Sequence, residues 1–156
     1  MHSKGIQALG KDHQAVLPKL AAMEEAVKAI RKGASFVEAG APCGAFLEAW
    51  RGEIKEHFRQ EEEGLFPILG GVLGAQGPIG VMLEEHAVIE DAVHRLEEQW
   101  QKAEPDLNRA LAAAAVIVYT LKDHIYKEDE VLFPMAEDLL DDGQKKDVDS
   151  LIIKVA

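Results

Sequence analysis

Apolar residues recur along this chain three and four positions apart, and sustained period-two alternation is absent, so the pattern is helical throughout. It predicts helices over 10–32, 43–66, 79–103 and 106–140. Gly33 closes the first, and Pro42, Pro78 and Pro105 stand at first-turn positions of the next three. Four long helices make an all-α four-helix bundle, and the chain length suits one domain over 1–156. From Asp142 the pattern predicts a short fifth helix, whose Val148, Leu151, Ile152 and Val155 share a stripe and pack it across the bundle end. The uncharged run from Gly64 to Leu83 has the length of a membrane span, but its six glycines, two prolines and Gln76 make it a connection.

One segment is written twice. IKEHFRQEEEGLFP at 54–67 returns as LKDHIYKEDEVLFP at 121–134, with Lys, His, two Glu, Leu, Phe and Pro kept at an offset of 67 residues. A fainter echo joins Asp12-His13 to Glu85-His86. The chain reads as two helical hairpins, each with a lone His on its first helix and a His-x-x-x-Glu on its second.

Positions four apart on a helix differ by about 40° in direction, so His57 projects with Glu61 and His124 with Glu128. Both pairs fall inside apolar stripes: Leu47, Trp50, Ile54, Phe58 and Leu65 on one helix, Ala114, Ile117, Leu121, Ile125 and Leu132 on the other. His13 continues the row of Val16, Leu17 and Leu20, and His86 stands among Ile79, Met82, Leu83, Ile89 and Val93. Every helix of the bundle therefore sends an imidazole inward. Leaving four imidazoles and two carboxylates unpaired in an apolar core costs several kcal/mol per group, and a metal is the simplest compensation. Imidazole with carboxylate suits iron, zinc, manganese or copper, whereas calcium and magnesium want oxygen alone. Six or seven ligands exceed one tetrahedral zinc and suit two ions bridged by Glu61 and Glu128, so a pair of iron ions is preferred to zinc or manganese.

Charge narrows the partners. Lys plus Arg number 17 against 28 Asp plus Glu, a net charge of −11 that repels phosphate backbones and anionic membranes. Nucleic acid and membrane are thereby excluded, and no feature names a protein partner. The lone Cys43 forms no internal disulfide, and residues 1–11 lack the apolar stretch of a leader, so a cytoplasmic setting is expected.

The set His13, His57-x-x-x-Glu61, His86, His124-x-x-x-Glu128, with both Leu-Phe-Pro tails, resembles the hemerythrin-like (HHE cation-binding) domain across nearly the whole chain. The resemblance implies an up-down four-helix bundle holding two non-haem iron ions joined by an oxo or hydroxo bridge. Glu61 and Glu128 would bridge them, and His13, His57, His86 and His124 would be terminal ligands. Oxygen-carrying members of the family place a second His four residues after the third-helix His, where this chain has Glu90, and take a carboxylate from the position of Asp129. Glu90 is therefore a candidate seventh metal ligand. On a regular helix Asp129 points about 140° away from His124, which favours Glu128 unless a π-bulge rotates the turn.

The resemblance implies binding or sensing of O2 or another small diatomic or peroxide ligand. The alternatives are a di-iron redox enzyme acting on peroxide or nitric oxide, a relative of iron-sulfur repair proteins, or an iron-responsive interaction module. Ferritin-like proteins need Glu-x-x-His pairs, and none occurs here. Among the remaining residues, Trp50 and Trp100 are expected as core walls and Thr120 as a supporting hydroxyl. Tyr126 and Glu62 should point outward, His94 should lie at an edge, His2 should fray, and Cys43 should be a structural thiol. Pro67 and Pro134 should kink or restart their helices.

Overall fold

The computed structural model describes the backbone of residues 1–155 and the side chains through Ile152. The first helix, Lys4–Arg31, starts six residues before the predicted boundary because Ser3 caps it, its side chain accepting from the Ile6 amide at 3.1 Å. Gly33, at φ 111°, turns the chain out of it. After the short turn Phe36–Ala39, a second helical rod runs over 41–73. The third helix is Pro78–Trp100, and a fourth rod covers 107–139, capped by Asp106. Helix Asp142–Val155 completes the described chain, which contains no strand and no helix long and apolar enough to cross a membrane.

Both rods run on through Pro67 and Pro134, the positions expected to kink or restart them. Glu61–Leu65 and Glu128–Leu132 are π turns, in which the Phe66 and Phe133 amides reach back five residues to the carbonyls of Glu61 and Glu128. A proline lacks the N–H of the regular ladder and crowds the carbonyl four residues before it. The wider turn just ahead of Pro67 and Pro134 absorbs that mismatch, and the helices continue to Leu73 and Leu139. Much of the run read as a connection is therefore helix, and the loop shrinks to the turn between Gly74, φ 90°, and Gly77, φ 68°.

The core is divided in two. Val16, Leu20, Met23, Phe46, Leu47, Ile89, Leu96 and Ile117 belong to a lower cluster, and Ile6, Leu9, Leu65, Phe66, Leu132 and Phe133 to an upper one. Between them lie the buried polar side chains His13, His57, Glu61, His86, His124 and Glu128. The C-terminal helix packs along the first helix and the second rod and seals the upper cluster. Ile152 fits against Gly5 and Gly64, where a Cβ would stand 2.9 and 3.0 Å from its side chain. Gly64 is replaced by Val131 in the second copy of the repeat, where the side chain is exposed. Val148 and Ile152 face inward as expected, Leu151 is half-buried, and the side chain of Val155 lies outside the described residues.

The N-terminus is tied down. His2 bonds to Glu137, the Ser3 amide donates to Glu137 at 2.9 Å, and the Gly5 amide donates to Asp149 at 2.8 Å. His2 is thus held by a partner rather than frayed. Trp50 is buried as expected, whereas Trp100 lies over Gly44 at the rim with 38% of its surface exposed. Leu17 and Leu83 are likewise exposed, because the inward rows pass to Val16 and Leu20 and to Met82 and His86 instead. Cys43 is buried, and burial pushes its thiol up to about 11, as suits an inert structural cysteine.

Candidate metal centre

All four rods contribute to one polar layer. His57 Nε2 lies 3.4 Å from Glu61 Oε2, and His124 Nε2 lies 3.3 Å from Glu128 Oε1, the two four-residue pairs that the repeat encodes. From the first helix His13 Nε2 approaches Glu128 Oε1 at 3.2 Å, and from the third His86 Nε2 approaches Glu61 Oε1 at 3.0 Å. Two donor sets result: His13, His57, Glu61 and Glu128 form one, and Glu61, His86 and His124 form the other. Glu61 belongs to both.

The outward nitrogen of each imidazole is also committed. His57 Nδ1 donates to Asp12 at 2.9 Å, His86 Nδ1 to Glu62 at 2.8 Å, His124 Nδ1 to Glu85 at 3.0 Å, and His13 Nδ1 to Asp129 at 2.8 Å. Each acid comes from the preceding helix, and the fourth rod returns the favour to the first, so the acids close a belt around the bundle. With Nδ1 so engaged, every Nε2 faces the centre, where a metal would replace any proton it carries. Sequence reasoning passed over this belt, although each of its acids stands directly beside a predicted ligand: Asp12 before His13, Glu62 after Glu61, Glu85 before His86, Asp129 after Glu128. Glu62 in particular does not merely face solvent. Single alanine substitutions at Asp12, Glu62, Glu85 or Asp129 are expected to weaken metal retention about 10- to 100-fold, as read by competition with a chelator.

Glu90 is not brought into this cluster. The inward row of the third helix steps from Met82 to His86, Ile89, Val93 and Leu96, alternating four and three, so the position after His86 in that row belongs to Ile89. Glu90 is exposed and borders a surface cavity with Arg51, Lys55 and Glu62. Glu90→Ala should leave metal retention at the parent level in the same chelator assay.

Other candidates fall where expected or outside the site. His94 is exposed and pairs with Glu98 at 3.2 Å, Tyr126 is exposed, and Thr120 makes no hydrogen bond to the centre. The Leu-Phe-Pro tails close the layer from above, with Phe133 stacked on His13 at 5.6 Å and Phe66 tilted against His86 at 5.6 Å. From below Phe58 stacks on His86 at 3.8 Å.

The centre's own atoms are left wanting. His13 Nε2, His57 Nε2, Glu61 Oε2 and both carboxylate oxygens of Glu128 are buried with no hydrogen-bond partner among the described residues. The two imidazole nitrogens of His86 and His124 that face inward stand only 3.2 Å apart. Burial pulls the His57 imidazole down, but the charge of Glu61 and the bonds to Asp12 and Glu61 prevail and hold it up at about 10. His124, also opposed by burial, is held up at about 10 by Glu128 and Glu61, and His13 is raised by Glu128 in the same way. Burial works to raise Glu61 too, yet the His57 charge, with Glu128 and His124 close by, keeps it well below the usual carboxylate range. Burial and the Glu61 charge push Glu128 up. Orphaned nitrogens and oxygens converging on one point, in a mixed imidazole and carboxylate set, fit transition-metal ions.

Comparison with known proteins agrees with this geometry. The hemerythrin HHE cation binding domain matches residues 4–136, a span that contains all six inward ligand candidates. The iron-sulfur cluster repair protein YtfE of Yersinia pseudotuberculosis (serotype O:1b, strain IP 31758) is 33% identical over 132 residues, covering 80% of this chain and 59% of that protein. YtfE of Yersinia pestis (strain Pestoides F) gives the same identity and coverage, and YtfE of Y. pseudotuberculosis serotype IB (strain PB1/+) is 29% identical over the same length. The chain thus spans 59% of the length of these curated relatives. With its family match, its helical bundle and its buried His/Glu centre, the chain belongs to the hemerythrin HHE cation-binding domain family.

Proposed function

We propose that this chain holds two non-haem iron ions between its two core clusters and uses them to bind or sense O2 or a related small ligand. One ion would be held by His13, His57, Glu61 and Glu128, and the other by His86, His124 and Glu61. The observation that carries the reading is the set of buried, partnerless atoms on His13, His57, Glu61 and Glu128. A reduced iron pair supplies electrons and open coordination positions to a small ligand. The protein's residues do the rest. The acid belt fixes the imidazoles, and Phe58, Phe66 and Phe133 keep water from the centre.

A second reading, iron-sulfur cluster repair or a related reaction of nitric oxide or peroxide, is favoured by the likeness to YtfE, although those proteins are longer than the aligned portion. The two readings part under one experiment. Anaerobically reduced protein exposed to O2 or nitric oxide should give a spectral change stoichiometric with the chain and reversed on removing the gas. Restoration of a damaged iron-sulfur protein by the same preparation, with no reversible gas adduct, would favour repair and overturn the first reading.

A further inference from the structure

The centre is closed from above and below by aromatic rings, and the C-terminal helix covers the upper cluster above it. Between the first helix and the second rod its wall is thinner. A void of about 10 Å³ beside His13, His57, His124 and Glu128 has Val16 and Ile54 in its wall. From the surface a cavity of about 170 Å³ enters between the same two helices and ends on Val16, Ile54 and His57. The three residues are common to both spaces. Val16 at 8% and His57 at 7% are the most exposed residues lining the inner void, and the others are at 3% or less.

The mouth of this cavity is built around a third π turn, Trp50–Ile54, which has no proline after it to explain it. Gly52 lies in that turn and in the cavity wall, and a Cβ added there would meet nothing within 4 Å. Ala15, exposed on the facing helix, forms the opposite lip. Asp12, Glu53 and Glu56 border the opening, and Arg59 neutralises Glu56 through two hydrogen bonds of 3.0 and 2.8 Å. Gln60, buried, lines the same passage. An apolar constriction behind a rim of carboxylates passes small uncharged molecules and turns anions away.

We propose that uncharged diatomic ligands reach the centre through this side opening, with Val16 and Ile54 as its gate and Gly52 keeping the mouth clear. The inference rests on the small-ligand reading above. Val16 keeps 8% of its surface exposed, the most of any residue lining the inner void, so the gate sits where the wall is nearest to solvent. A gate lies on the path in both directions, and so it alters entry and exit alike without changing the bound state.

The test is stopped-flow binding of nitric oxide to the ferrous-loaded protein, paired with xenon under pressure in crystals of the metal-free protein. Gly52→Phe and Ala15→Phe, one blocking group from each lip, are expected to slow nitric oxide association about tenfold and dissociation by the same factor, leaving Kd unchanged. Gly52→Ala should behave as the parent, and Val16→Ala should speed both steps. Xenon should occupy the cavity against Val16 and Ile54 in the parent and be displaced in Gly52→Phe. Parent-like nitric oxide rates in both blocked variants, or xenon absent from this cavity, would overturn the route. Iron content is measured on every sample: a parent that takes up no iron contradicts the di-iron reading, and the xenon arm then decides the route by itself.

Discussion

Alanine at position 61 is expected to cost the chain both metal ions. Glu61 Oε1 stands 3.0 Å from His86 Nε2 and 3.9 Å from His124 Nε2, while Oε2 stands 3.4 Å from His57 Nε2, so this carboxylate is the group common to the two donor sets. Without it the second set is reduced to two imidazoles. Glu128→Ala should act in the same direction, since Glu128 touches His13 at 3.2 Å and His124 at 3.3 Å. The metal-free protein should suffer as well, because removing Glu61 strands the buried charge of His57, a loss of about 3–5 kcal/mol. Metal content after gel filtration and chemical denaturation of the metal-free variant read the two effects separately. Parent-like metal content in Glu61→Ala would place the shared ligand elsewhere.

Metal removal should also make stability depend on pH between 6.5 and about 10. In the metal-free protein His57 and His124 are held up at about 10, against an ordinary value of 6.5. A raised imidazole stabilises the fold fully below its unfolded value, and that contribution fades as pH climbs through the folded value. His13 acts in the same sense. Glu61 is opposite: its lowered pKa contributes above the ordinary carboxylate value and is lost in acid. The metal-free Tm should therefore fall as pH rises from 6.5 to 10. Metal-loaded protein, with no proton on any Nε2, should be more stable and nearly flat over that window. Loading at pH 7 must then release protons, which calorimetry in buffers of different ionisation enthalpy detects. A metal-free Tm that rises over this window would show that the imidazoles enter the fold neutral.

What the sequence made legible follows from periodicity. Four amphipathic helices and the inward direction of His13, His57, His86 and His124 all come from three- and four-residue spacing, which is a property of one helix at a time. The repeat then marked Glu61 and Glu128 as equivalent. What escaped is what depends on two helices at once. The partners of Asp12, Glu62, Glu85 and Asp129 lie on the next helix around the bundle, so no reading of a single helix assigns them. Glu90 was drawn toward the centre by its position four residues after His86, but an inward row that alternates four and three spends its next place on Ile89. The helix ends differ for similar reasons. Glu137 and Asp149 anchor the start of the first helix from distant segments, and the π turn at Glu61 carries the second rod past Pro67, beyond its predicted end at 66.

The central claim is that six buried side chains from four helices hold a pair of iron ions. Protein reconstituted anaerobically with ferrous iron, desalted, and analysed for metal and protein together tests it most directly. Close to two iron per chain, lost in Glu61→Ala and kept in Glu90→Ala, is the predicted result; a single tightly held zinc, or no retained metal, would contradict it.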